Sequence, residues 1–294
     1  MIKVCFINTY KGYQPELSFQ FFLLKKIFNE SVALVNDVDI ADVCFTDAFG
    51  DQTSSRHKTI FFSGENVRPN FLKHRFSLSF DMDTWSGRNV YLPLWMGLIA
   101  WDGYQRAQEP LGVSEHQNEG LLDLSVLSQP RQLIGNLEKR DFCALIANNP
   151  ESVRMNLFAI ISSYKKITGY GKIFGNPTKE TKHTLLNNYY FSLCPENDFY
   201  PGYITEKLFH AWYGNCVPIY FGPVELDPAI NPKAMLNYAR YHNVDLFLSD
   251  IMAAHADPSI YMSYFNEPLL LQKPSLNPVL EFLSFAINEI LKGE

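Results

Sequence analysis

No apolar run in this 294-residue chain approaches the ~18 residues of a membrane-spanning helix. The opening Met1-Ile2-Lys3-Val4-Cys5-Phe6-Ile7 is short and leads directly into polar sequence, so it reads as a first strand and not a signal peptide. Positive charge is scarce: 25 Lys and Arg against 31 Asp and Glu leave a net charge of −6. That balance argues against a nucleic-acid binder. The five cysteines, Cys5, Cys44, Cys143, Cys194 and Cys216, sit singly in apolar runs. None forms a CxxC pair, which suits reduced core residues and, with the missing span and leader, a cytosolic protein. There is no GxxxxGK[ST] loop and no GxGxxG after a strand, so kinase, NTPase and dehydrogenase readings are weak. No HExxH or Cys/His cluster points to zinc. No GxSxG elbow is present, and there is no internal repeat, low-complexity tract or long charge run.

What is present is core material, 47% hydrophobic against 19% charged, enough for one large or two medium domains. The first half alternates. Strand-like runs occur at Ile2–Ile7, Val32–Val35, Val43–Phe45, Thr59–Ser63 and Ser77–Phe80, with a helical pattern between Pro15 and Phe28 and a further apolar run at Tyr91–Trp95. This is the pattern of a doubly wound sheet. From about Trp101 to Asn136 the period fades, and the stretch reads as a connection with some helix. A second sheet then starts afresh: a strand at Phe142–Ala147, a turn at Asn148-Asn149-Pro150, and an amphipathic helix carrying Val153, Leu157, Phe158, Ile160 and Ile161. Phe191–Cys194 is a short buried strand, Pro195–Gly202 a loop, and Thr205 the N-cap of a helix through Trp212 that Gly214-Asn215 stops. Cys216–Phe221 is the next strand, its Pro218 fitting best near an edge or irregularity. A last helix is capped by Asn277, carries Pro278 in its first turn and stops at Gly293. The expected architecture is two Rossmann-like domains facing across a cleft. The boundaries are 1–135 for an acceptor-binding domain and 136–270 for a donor-binding domain, with a C-terminal helix in 271–294 packing back on the first.

Lys207 is oddly placed. A cation in the first turn of a helix opposes the helix dipole by a few tenths of a kcal/mol. Either its stem lies along the surface with the charge in water, or an anion lies between it and the helix end. Arg154 stands near the start of the preceding helix of the same sheet. Two such cations would make a clamp for a diphosphate, the Arg as a planar fork and the Lys as a point charge. Glu206 suits paired ribose hydroxyls, although acids are favoured in a first turn anyway. In the first half Glu65 follows a buried strand directly. A carboxylate at a strand's carboxyl end could be a general base, but a lone glutamate in a glycine-containing loop reads first as a solvated turn residue.

Several motifs together resemble glycosyltransferase family 10, the α-1,3/1,4-fucosyltransferases. They are FFSGENVRP from Phe61, KRDFCALIANNPESVR at Lys139–Arg154, FSLCPENDFYPGYITEKLFHAW from Phe191, PIYFGP from Pro218 and NPKA at Asn231–Ala234. They run in order over roughly residues 59–235. YITEKL at Tyr203–Leu208 is the most characteristic. The resemblance implies a GT-B fold, GDP-fucose as donor and inversion at the fucose anomeric carbon. It implies that Arg154 and Lys207 bind the diphosphate and that Tyr203 and Glu206 contact the nucleotide. Glu196 and Asn197 then lie near the sugar, and Glu65 is the base. No metal or other cofactor is required. Where the family often carries Phe before Glu-Asn, this chain has Pro195, a departure at the sugar end of the site.

The acceptor expected from the resemblance is a GlcNAc or Glc unit of a surface glycan such as lipopolysaccharide, joined α-1,3 or α-1,4. The chain lacks the heptad repeats and basic tail of some bacterial members and the anchor of animal ones. It is therefore expected in the cytoplasm, with peripheral contact at the inner face of the membrane. Two other readings stay open: the same fold with a different nucleotide sugar, and a non-catalytic glycan-binding protein.

Overall fold

A computed structural model describes residues 1–105 and 120–293. Residues 106–119 of the expected connecting stretch lie outside the described residues. The chain forms two units, Met1–Ala107 with Pro274–Glu294, and Gln108–Lys273.

Among the described residues the first unit builds a six-stranded parallel sheet. Its strands are β1 (Ile2–Ile7), β2 (Val32–Leu34), β3 (Val43–Thr46), β4 (Thr59–Phe62), β5 (Phe76–Ser79) and β6 (Asn89–Tyr91), ordered β2-β1-β3-β4-β5-β6. Every residue of β3, β4 and β5 is buried, which explains their unbroken apolar character. Helix α1 (Phe19–Phe28) joins β1 to β2. The Ser18 hydroxyl caps it by accepting from the Phe21 amide, and Leu23 and Leu24 are wholly buried. The apolar run at Tyr91–Trp95 is not one element. The strand ends at Tyr91, Pro93 has no N–H to offer, and Leu94–Leu98 closes into a 3-10 turn.

The second unit contains α2 (Leu124–Leu127), β7 (Asp141–Ile146), α3 (Ser152–Tyr164), β8 (Ile167–Tyr170), α4 (Lys182–Leu186) and β9 (Tyr189–Pro195). It continues with α5 (Glu206–Tyr213), β10 (Val217–Phe221), β11 (Leu236–Asn237), α6 (Val244–Ala256) and α7 (Pro258–Phe265). Its strands order as β11-β10-β9-β7-β8, all parallel. Cys143, Leu145, Phe191, Leu193, Val217 and Ile219 supply one face of its core, covered by Leu157 and Ile161 of α3, Phe247 and Ile251 of α6, and Tyr261 and Phe265 of α7. Pro218 sits where only β9 pairs with β10; the β11 pairing begins at Ile219. After α5, Asn215 takes the left-handed conformation (φ 64°). Its side chain holds residues 132 and 134, accepting from the Ile134 amide and donating to the Gln132 carbonyl. Residues 132 and 134 therefore have second-unit partners. Arg131 lies between the Trp212 and Phe265 rings, 4.4 and 4.2 Å from their centroids.

Helix α8 (Asn277–Lys292) returns to the first unit, its Phe282 and Phe285 rings meeting Phe76 of β5 at 6.0 and 5.9 Å. Its cap position is Leu276, without a side-chain hydrogen bond. Asn277 is already helical, and its amide donates to Ser275 Oγ at 3.1 Å. Gly293 ends the helix at φ 75°. Among the described residues no helix is long and apolar enough to cross a membrane.

Candidate functional site

In each sheet the strand order reverses once, between β1 and β3 in the first and between β7 and β9 in the second. Crossovers leave in opposite directions at such a point and open a crevice at the strands' carboxyl ends. The second unit has a pocket of about 250 Å³ there. Leu145 to Asn149 from β7 and its following turn line one side, and Ser192 to Pro195 of β9 the other. The starts of α3 and α5 supply Arg154, Glu206 and Lys207, and Asn197 completes the rim.

Lys207, Glu196 and Glu206 form an ion-paired group in this site. Glu196 follows β9 and is completely buried. It accepts from the Thr205 amide at 2.8 Å, the Thr205 hydroxyl at 2.6 Å and the Tyr220 hydroxyl at 3.0 Å. Thr205 is the N-cap residue of α5, as expected. Its hydroxyl, however, donates to Glu196 and leaves the helix amides uncapped by it. The Lys207 ammonium lies 3.4 Å from Glu196, 3.5 Å from Glu206 and 3.0 Å from the Thr205 oxygen. A lysine in a first turn is thus held by two carboxylates. Burial pushes the Glu196 carboxyl up against the pull of Lys207. Burial also works on Glu206, but there Lys207 and Lys182 prevail and hold the carboxyl well below its usual range. For Lys207 burial pulls down, yet Glu206 and Glu196 outweigh it and the ammonium is raised.

Arg154 is buried on α3 and donates to the Asn149 carbonyl and, at 2.6 Å, to Asn197 Oδ1. Burial lowers its guanidinium below the ordinary value. Tyr203 is buried in the loop before α5 and does not line the pocket, and Glu196 lies behind the lining. Two lining residues escape a reading of the sequence. His210 stands one turn after Glu206, so the i, i+4 spacing could have found it. Lys182 opens α4, a five-residue helix with too few turns to show a period, though its cap Thr181 was a signal.

Glu65 lies in the first unit, exposed, in the bend after β4. Its amide donates to Ser63 Oγ at 3.1 Å. Asp47 follows β3 on the neighbouring strand, buried, with the Ala48 amide donating to it at 2.7 Å. Burial raises the Asp47 carboxyl, the Ser63 hydroxyl bonds it, and the Glu65 charge raises it further. Asp81 is committed elsewhere: it is ion-paired to Arg68 and accepts from the Trp85 indole. Among the described residues no group of three or more His, Cys, Asp or Glu is arranged to hold a metal ion.

Two family models match the chain. "Alpha-(1,3)-fucosyltransferase FucT N-terminal domain" covers residues 4–97, and "Glycosyltransferase family 10 (fucosyltransferase) C-term" covers residues 137–267, which include the whole pocket. The chain belongs to glycosyltransferase family 10. The alpha-(1,3)-fucosyltransferase FucT of Helicobacter pylori is 25% identical over 254 residues, 79% of this chain and 52% of that protein. The bovine 3-galactosyl-N-acetylglucosaminide 4-alpha-L-fucosyltransferase FUT3 is 26% identical over 164 residues, 53% of this chain and 44% of its own. The chain thus spans about half the length of these family relatives. A crystal structure of an alpha1,3-fucosyltransferase with GDP-fucose superposes with a TM-score of 0.75 at 22% identity, covering 97% of this chain and 90% of that one. The fold is accordingly the two-domain α/β architecture of GT-B type expected from the motifs.

Proposed function

We propose that this family 10 chain is an inverting fucosyltransferase. It moves fucose from GDP-fucose to a GlcNAc or Glc hydroxyl of a glycan, in α-1,3 or α-1,4 linkage. The observation that carries the reading is the convergence of Arg154 and Lys207, from the starts of two helices, on one pocket at the carboxyl ends of β7 and β9. Helix N-termini offer free N–H groups and a partial positive charge, and with two cations they fit a diphosphate. Charge develops on the departing GDP in the transition state, and donors already in place stabilise it without reorganising. Glu206, at the pocket wall, suits the ribose hydroxyls. Asn197, fixed by Arg154, is placed to meet the sugar.

Glu65 is the base in this scheme. The acceptor hydroxyl gives its proton to the Glu65 carboxylate as its oxygen attacks the anomeric carbon from the face opposite GDP, and the stereochemistry inverts. The chain works at the cytoplasmic face of the membrane on a glycan acceptor, with peripheral contact there. A thermal-shift panel tests the donor. GDP and GDP-fucose should raise the melting temperature and UDP forms should not. Stabilisation by a UDP-sugar instead would favour a different donor, the outcome to which Pro195 points. No stabilisation by any nucleotide would favour a glycan-binding protein without catalysis.

A further inference from the structure

Cys5 and Cys44 stand opposite one another on β1 and β3, in register. Their Sγ atoms are 2.6 Å apart. In-register residues on neighbouring strands project from the same face, with backbones about 4.8 Å apart. That lies inside the Cα–Cα range of about 4.4–6.8 Å that a disulfide spans. Both are free thiols, buried in a small cluster with Ile7 and Ala41. Lys58 approaches the cluster and donates to the carbonyls of Val38 and Ala41 at 2.6 and 3.2 Å.

We propose that Cys5 and Cys44 form a modification site, a reversible intrachain disulfide closed by a small peroxide. The two sulfurs have different parts. The hydrogen bond with Cys5 pulls the Cys44 thiol down, against burial and with help from Lys58. The same bond, with burial, pushes the Cys5 thiol far up. In the proposed step Cys44 is the attacking sulfur, as the thiolate, and Cys5 keeps its proton. The Cys44 sulfur attacks the peroxide: an S–O bond forms, the O–O bond breaks, and the departing hydroxide takes a proton to become water. Cys5 then gives up its proton, and its sulfur attacks Cys44 Sγ. The S–S bond forms, the S–O bond breaks, and the second oxygen leaves as water. Two thiols lose two electrons and two protons, and one peroxide becomes two waters. Burial excludes bulky disulfide oxidants and favours an oxidant near the size of water.

The bridge would close beneath the carboxyl-end rim of the first sheet. Asn8, three residues beyond Cys5, donates to Thr46, two beyond Cys44, at 2.9 Å. The test is to treat the full chain with hydrogen peroxide, denature it and titrate thiols. The five thiols should fall to three, the mass should drop by about 2 Da for two lost hydrogens, and the Cys5 and Cys44 peptides should be linked until dithiothreitol is added. Five titratable thiols after treatment, or oxidation confined to Cys143, Cys194 or Cys216, would overturn the proposal. In C5S the Cys44 sulfenic acid has no resolving partner and should be trapped by dimedone. An untouched Cys44 in that variant would remove it as the attacking sulfur. The wild-type mapping decides the pairing whether or not C5S folds well.

Discussion

Lys207 is the counter-ion of Glu196, 3.4 Å away, and Glu196 has no exposure to water. The relationship gives Lys207 a structural part beside the diphosphate-binding role proposed for it. Lys207→Ala leaves a buried carboxylate with three hydrogen bonds and, among the described residues, no other ion-paired cation. The variant should lose about 1–3 kcal/mol of stability, the cost of an uncompensated buried group. GDP affinity should fall by a further ~1.5–3 kcal/mol, the range for a hydrogen bond to a charged group. Adding Glu196→Gln removes the stranded charge, so the double variant should regain melting temperature without regaining GDP affinity. Calorimetry and thermal unfolding on the same samples separate the two roles. Unchanged GDP affinity in Lys207→Ala or in Arg154→Ala would sink the clamp for that residue.

That Arg154 and Lys207 stand at one pocket was legible in the sequence, but the burial of Glu196 beside Lys207 was not. Arg154 and Lys207 could be paired because helix starts and a βαβ order are written in local patterns. Glu196 fell in the loop Pro195–Gly202, and the resemblance set it near the sugar. Its burial depends on Thr205 and on Tyr220 of β10, nine and 24 residues away. The pairing of Cys5 with Cys44 rests on a strand register across 39 residues, which no local pattern encodes. Local chemistry misled at Asn277, where a good capping residue stands one position inside the helix. It also blurred β6, since Tyr91–Trp95 is apolar throughout yet only its first residue is strand.

Acid should destabilise the fold before most carboxylates titrate. Burial holds His74 and His183 down at about 4, and His255 is lowered for the same reason. These rings stay neutral in the folded chain, while in the unfolded chain they protonate near pH 6.5. The unfolded state therefore binds more protons below about pH 6.5, and stability falls as pH falls. Each such histidine adds a slope of at most about 1.4 kcal/mol per pH unit. The stabilisation is complete above the unfolded value, and the loss levels off for His74 and His183 near pH 4. Urea unfolding at a series of pH values should show this slope, and His183→Gln should reduce it by about one proton's share. A flat profile between about pH 6.5 and 5 would contradict the neutral assignment.

Turnover should survive thorough chelation. In the proposed scheme Arg154, Lys207 and two helix starts neutralise the departing diphosphate, which is the task a divalent ion performs in other transferases. Treatment with EDTA followed by desalting should leave most activity in place. A complete loss restored by Mn²⁺ or Mg²⁺ would show that an ion carries the charge.

Glu65 and the second-unit pocket belong to different units, so in the proposed scheme the chemistry can be removed while donor binding is spared. A base must come within ~3 Å of the acceptor hydroxyl, directly or through a water. Gln keeps the size and hydrogen-bonding capacity of Glu but cannot take the proton. Glu65→Gln should keep GDP-fucose affinity within about twofold and lower kcat by the ~10²–10⁴ typical of a lost general base. Asp47 is the carboxylate that would substitute for it, since Asp81 is tied to Arg68 and Trp85. Asp47 is buried, however, and joined through Ser63 to the Glu65 amide, which suits a residue that positions the loop. Asp47→Asn keeps the shape and an acceptor for Ser63. It should cost less than about tenfold in kcat, well short of the loss in Glu65→Gln. Asp47 does not line the second-unit pocket, so its variant should titrate with GDP-fucose as the wild type does. Near-normal turnover in Glu65→Gln together with collapse in Asp47→Asn would exchange the two roles and make the buried carboxylate the base.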